Sequence, residues 1–376
     1  MLIPTSLAGV GGSTGFFAFN SSDIAFPGFH NLNTIDVAFL DWKNALGLPL
    51  EVWLGRFGGV PPGPTYPVQF GPFGLLMNTS GATWEDAAGD SGYNSADGIR
   101  VAVNLAGVAD LHFQAVAIRI AGNIGAFSYP SGEDAFGVDA NAEIVKGLRV
   151  GVDYVGNSIG QSGSTTFSQP AGALSFLYHV YGPGGGSVNP ATPNCPTAVG
   201  AAGITCPAAG NGLGAYAQWD IAEGIHLNAE WAQWNDNVLG VSDSGYQAVL
   251  TWNFGQLLKV PSDWYVFTVG YQYYGQNFYP PYGAAELDLF GWDVIYPGNS
   301  KGLTATLTVT PWPHWTVYAD YLTGSNVSNG MTITEYEVGV IYKLSAGATL
   351  HLLYRDLTMG GVDQQGLYRA QIEYDF

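Results

Sequence analysis

The sequence predicts an all-β fold: a transmembrane antiparallel up-and-down β-barrel of about sixteen strands, with short periplasmic turns and long extracellular loops. Three observations predict it. Apolar and polar residues alternate with a period of two in segment after segment. The connections between these segments alternate short and long. Finally, only 11% of residues are charged while 14% are aromatic. The clearest segment ends the chain. In GLYRAQIEYDF (366–376), Tyr368, Ala370, Ile372, Tyr374 and Phe376 share one parity, and Arg369, Gln371, Glu373 and Asp375 the other. On a strand these parities are opposite faces.

The first strand is the weak TGFFAFN at 14–20, followed by 33–42 and 48–57. After a Pro/Gly-rich stretch come 97–105 and 111–121. In the first of these Ile99, Val101, Val103 and Leu105 oppose Arg100, Ala102 and Asn104. Segments 134–144 and 148–158 set Phe136, Val138, Val150 and Val152 against Asp139, Glu143, Arg149 and Asp153. Segments 212–221 and 225–236 flank the turn 222–224. The remaining strands are expected at 245–254, 264–274, 301–310, 315–323, 332–344, 349–358 and 366–376. Short connections fall at 43–47, 106–110, 145–147, 222–224, 255–263, 311–314 and 345–348. Longer ones fall at 21–32, 58–96, 122–133, 159–211, 237–244, 275–300, 324–331 and 359–365. Short turns on the side of the termini and larger loops opposite suit a barrel better than a sandwich with Greek-key crossovers. The whole chain, 1–376, reads as one domain.

A barrel this wide cannot fill its interior with side chains, so an inward apolar face would line a void. Strands of about ten tilted residues rise about 25 Å, the height of an outer-membrane apolar band. The apolar parity therefore meets lipid, and the polar parity a water-filled lumen. Trp252, Phe254, Trp264, Tyr265, Trp312, Trp315, Tyr374 and Phe376 cluster at the short-turn ends and read as an interfacial girdle. There is no apolar run long enough for a transmembrane helix. Because the N-terminus lacks a basic region and an apolar core, it reads as the start of a mature chain rather than a signal peptide. With 11 basic residues against 30 acidic ones and a net charge of -19, nucleic-acid binding is excluded as a function.

DVAFLDWKNALGLPLEVWLGRF beginning at Asp36, GPFGLLMN (71–78) and DGIRV (97–101) resemble the opening of porin barrels that carry an N-terminal S-layer-homology region in diderm bacteria. The terminal Phe376 resembles the signal read by the barrel-assembly machinery. The resemblance implies a homotrimeric diffusion porin of the bacterial outer membrane, passing small hydrophilic solutes, with surface-layer or cell-wall partners. The chain shows neither an S-layer-homology region nor a coiled coil.

No catalytic constellation is evident, and the chain is not expected to be an enzyme or to carry a cofactor. The six histidines are dispersed without zinc spacing, and there is no Gly-x-Ser-x-Gly elbow or P-loop. Glu85, Asp86, Asp90 and Asp97 are the candidate calcium ligands of an extracellular loop, without EF-hand spacing. Cys195 and Cys206 share one loop and suit a local disulfide in an oxidising compartment.

The polar parity names the lumen lining. Its acids are Asp139, Glu143, Asp153, Asp220, Glu230, Asp320, Glu335, Glu337, Glu373 and Asp375, and its bases Arg100, Arg149, Lys343, Arg355 and Arg369. This excess of acids predicts a mild preference for cations. Loops 58–96 and 159–211 are the candidates to fold inward as a constriction. Tyr216, Tyr318 and Trp234 would form a stacking track if the channel selected sugars or other nutrients. A structural envelope protein anchored by its barrel is the reading from another class.

Overall fold

The computed structural model describes residues 5–6, 13–18, 37–58, 68–77, 95–105, 107, 110–120, 133–158, 165–167, 204–206, 210–237, 240–259, 264–275, 278, 300–327, 330, 332–345, 348–359 and 362–374. The chain is an antiparallel up-and-down β-barrel. In chain order its principal strands are β1 (Ser13–Ala18), β2 (Val37–Trp42), β3 (Leu50–Gly58), β4 (Ser95–Leu105), β5 (Leu111–Ile120), β6 (Glu133–Val145), β7 (Leu148–Ser158) and β8 (Gly210–Ala222). They continue with β9 (Ile225–Asp236), β10 (Val241–Asn253), β11 (Tyr265–Tyr274), β12 (Ser300–Trp312), β13 (Trp315–Asn326), β14 (Thr332–Ser345), β15 (Ala348–Met359) and β16 (Val362–Tyr374). Sequential strands are neighbours throughout, and β7 pairs with β8 across the long 159–209 connection. In the sheet order β16 stands next to β1, and the two-residue piece Thr5–Ser6 joins the same sheet.

Alternation sets the faces as the period of two requires. On β6 and β7 the outward Phe136, Val138 and Val152 are 50%, 40% and 56% exposed, while the inward Asp139 and Asp153 are 1% and 2% exposed. Trp264, Tyr265, Trp312 and Trp315 stay exposed on the short-turn side. Beside them Trp252 stacks on Phe267 and Trp315 packs on Tyr342. A sheet whose large apolar side chains face out and whose acids face in is built for a hydrocarbon surround.

Inward rings lie along the wall. Tyr216 pairs directly with Gly151 and Tyr318 with Gly339, and a Cβ on either glycine would collide with the ring. The missing side chain gives each phenol a bed on the neighbouring strand, so the ring does not project across the lumen.

The connections differ from the sequence expectation in two ways. Several outer connections are shorter than the alternation suggested: 237–240, 327–331 and 360–361. The strands run past the apolar band through polar residues such as Ser242, Asp243 and Ser244, which a hydrophobic parity count does not register. The 255–263 connection begins with a helical turn, α1 (Phe254–Leu258), capped by the Asn253 side chain accepting from the Gln256 N–H at 3.0 Å.

Candidate channel lumen

The interior is built from inward side chains of the wall and from segment 68–77, which lies in the connection between β3 and β4. This segment is VQFGPFGLLM, six apolar side chains among glycines and a proline. Gly71 and Gly74 take positive φ (71° and 67°), which lets the chain double back, and the Phe70 N–H donates to the Met77 carbonyl at 3.0 Å. Val68, Phe70, Leu75, Leu76 and Met77 are buried. They cluster with Val116 and Ile118 of β5, Ala135 of β6, Val155 of β7, Ala232 and Trp234 of β9, and Tyr274 of β11. Phe70 occupies the space a Cβ at Gly137 would take, and Leu76 does the same at Gly212. These wall residues belong to the inward parity, so segment 68–77 lies inside the barrel. Of the two expected constriction loops, 58–96 therefore supplies an inward segment. The greater part of 159–211, Cys195 included, lies outside the described residues.

Glu230 of β9 holds the tip of this segment. Its Oε2 accepts from the N–H groups of Phe73 at 2.8 Å and Gly74 at 3.1 Å, and its Oε1 from Leu75 at 2.7 Å. Three convergent backbone donors neutralise a buried carboxylate well. A Cβ at Gly71 would stand 2.5 Å from Oε2, so the carboxylate fits only against bare backbone. Glu230 was expected to line open water. It faces inward as expected, but is 3% exposed and serves as the anchor of the inward segment.

Behind the segment, Asp139 accepts from the Tyr216 hydroxyl at 2.7 Å, Asn141 Nδ2 at 3.0 Å and Gln114 Nε2 at 3.3 Å. Gln114 also donates to the Gln69 carbonyl at 3.0 Å, which ties this network to segment 68–77. Arg100 donates to Glu51 at 2.9 Å and to Gln114 at 3.0 Å, and its guanidinium lies 4.3 Å from the Trp53 ring centroid.

A second polar strip crosses β12 to β15, where Thr306, Asp320, Glu337 and Arg355 are successive register partners. Arg355 donates to Glu335 at 2.9 Å and the Tyr318 hydroxyl to Glu337 at 2.8 Å. At the short-turn rim, Glu143 accepts from the Gly147 N–H at 2.8 Å. Arg149 donates to Asn141 at 2.6 Å and pairs with Asp110, and His226 meets Asp220 at 2.6 Å. Glu143, Gly147, Arg149, Asp220 and His226 border a shallow basin of about 400 Å³. Lys343 is exposed at the short-turn end of β14.

The inward charged residues named above thus fall into three groups: an anchored network behind the segment, a mixed-charge strip, and a polar rim. The side chains of Arg369, Glu373 and Cys206, and residue Asp375, lie outside the described residues. So do Glu85, Asp86 and Asp90 and the side chain of Asp97. Tyr216, Tyr318 and Trp234 do not make a track. Trp234 is 1% exposed within the apolar cluster, Tyr216 is fixed on Asp139, and Tyr318 is bonded to Glu337. Sequence reasoning missed Asp41 and Glu51, although alternation in β2 and β3 pointed to both. It gave Gln114 and Asn141 no role, because only charged residues of the polar parity were singled out as lumen candidates.

Comparison with protein families and with curated proteins gives no match. Among solved structures the chain is similar to two Pseudomonas aeruginosa proteins. For OccK1 (OpdK) the TM-score is 0.51 at 12% identity, covering 96% of this chain and 86% of that one. For OccK3 (OpdO) the TM-score is 0.53 at 10% identity, covering 96% and 83%. OpdK has also been solved with vanillate, again at a TM-score of 0.51. At such identities the likeness is one of fold alone.

Proposed function

We propose that this chain is a passive channel of the bacterial outer membrane, conducting small hydrophilic solutes and ions through its lumen. The observation that carries the reading is the combination of a polar interior with an inward segment fixed to the wall by Glu230. A barrel serving only as an anchor has no use for a segment held across part of its interior with a polar strip left beside it. Planar-bilayer recording on the purified protein tests this: discrete, ohmic conductance steps are expected, and a barrel that inserts without conducting would favour the structural envelope reading.

A mild cation preference is part of the proposal. Of the acids on the β12 to β15 strip, Glu335 is paired with Arg355, while Asp320 and Glu337 add further negative charge. Clustered carboxylates raise local cation concentration. A reversal potential of the cation-selective sign in a potassium chloride gradient is expected, and the opposite sign overturns it. Selection of a particular solute is the second reading. It is favoured by the side-by-side Arg355, Glu337 and Tyr318, which offer both charges and a ring, and solute-dependent block of current distinguishes it. Homotrimer assembly and surface-layer partners stay with the resemblance carried by residues 36–57, 71–78 and 97–101. Cross-linking of the native membrane tests both.

A further inference from the structure

Asp153 of β7 faces inward and is 2% exposed, yet neither of its carboxylate oxygens has a hydrogen-bond partner. It is the direct register partner of Asp139 on β6, itself 1% exposed. Side chains of such a pair stand about 5 Å apart at Cβ. The two acids differ in what satisfies them. Asp139 has the Tyr216 hydroxyl, Asn141 and Gln114 as donors. Asp153 has none, although a lone buried carboxylate costs several kcal/mol. Room has been left for it all the same: on the other neighbouring strand its partner is Gly214, where a Cβ would stand 2.5 Å from Asp153 Oδ1. Glu230 lies close enough to repel Asp153 electrostatically, but both its oxygens are taken by backbone N–H groups and cannot turn toward it.

We propose that Asp153 and Asp139 bind a calcium-class divalent cation between β6 and β7, beneath the inward segment. Both Asp153 oxygens are open. A proton could occupy only one, whereas a cation held bidentately uses both. Two facing carboxylates carry two negative charges, which one divalent ion balances. Bidentate carboxylate ligation and a loose shell completed by water are habits of calcium, while magnesium demands a tighter octahedron. Among the described residues no third acidic, histidine or cysteine ligand joins the pair. The Tyr216 oxygen and water must therefore complete the shell. Through Asp139, Gln114 and the Gln69 carbonyl the ion would stiffen the seat of segment 68–77.

The test uses the full-length barrel in detergent, stripped with EGTA and titrated with calcium chloride by calorimetry, with thermal unfolding followed in parallel. Wild type should bind one more equivalent of calcium than Asp153→Asn, and calcium should raise its unfolding temperature but not that of the variant. Gly214→Ala, which keeps both carboxylates but crowds Asp153, should weaken this site by at least about tenfold, as loss of support does at metal sites. Asp220→Asn, at the exposed rim, should leave it unchanged. Equal stoichiometry in wild type and Asp153→Asn overturns the proposal. So does calcium binding that disappears in a Glu85→Gln, Asp86→Asn, Asp90→Asn triple variant and survives Asp153→Asn. So does an Asp153→Asn barrel that is more stable than wild type while neither binds calcium, which would mark Asp153 as a buried neutral acid.

Discussion

A carboxylate that accepts three backbone N–H bonds loses all of them at once when it is truncated. Glu230→Ala would leave the N–H groups of Phe73, Gly74 and Leu75 without their acceptor. Each charge-assisted bond contributes about 1.5–3 kcal/mol, but a freed segment can turn its amides to lumen water, so a net loss of about 2–4 kcal/mol from the inward state is expected. The barrel itself does not depend on this contact, because its strands are held by their own ladders. Single-channel recordings of Glu230→Ala should therefore show larger mean conductance and more current noise, with strand content by circular dichroism unchanged. Glu230→Gln, which keeps the shape and one acceptor oxygen, should fall between. Recordings indistinguishable from wild type would mean that segment 68–77 does not narrow the pore.

At the scale of elements, segment 68–77 behaves as an inserted wedge whose apolar side chains replace a core. Replacing 68–77 with a short Gly-Ser linker should raise conductance more than Glu230→Ala does, because it removes the whole wedge. Trp234→Ala, beneath it, should lower thermal stability by about 3–5 kcal/mol as a buried aromatic truncation; calorimetry of both variants checks the order. The strands and their faces were legible in the sequence because alternation repeats: Asp139 and Glu143 sit four apart and Glu335 and Glu337 two apart, each pair on one parity, and the structure keeps them on one face. Strand ends on the outer side were not legible, since polar residues such as Asp243 continue a strand without leaving an apolar parity to read. The inward segment was read only as part of a Pro/Gly-rich loop, although six apolar side chains in ten residues were a signal that it packs against something. The role of Glu230 was out of reach. Its partners lie 155 to 157 residues earlier, and nothing local to β9 distinguishes it from an acid facing water.

For the whole molecule, the orientation of its faces decides how it lives. Outward aromatics form two levels, with Tyr246, Tyr271, Tyr321 and Tyr336 each six positions from Trp252, Tyr265, Trp315 and Tyr342 on the same strand. Six residues span about 20 Å along a strand, so the two levels bracket a thin apolar band. Between them on β12, Leu307 faces out at 42% exposed and its neighbour Thr306 faces in at 5%. These adjacent residues allow a direct test of which side meets lipid. Leu307→Arg should cost about 2–4 kcal/mol in lipid vesicles, the penalty for a cation near the middle of a barrel's apolar face. Thr306→Arg places the same charge opposite Asp320 in the interior. It should fold, lower the conductance and move the reversal potential away from cation preference. Folding titrations of the two variants give the energies, and recordings in a salt gradient give the selectivity. A tolerated arginine at 307 with an unfolded barrel at 306 would turn the molecule inside out, making its interior the dry side.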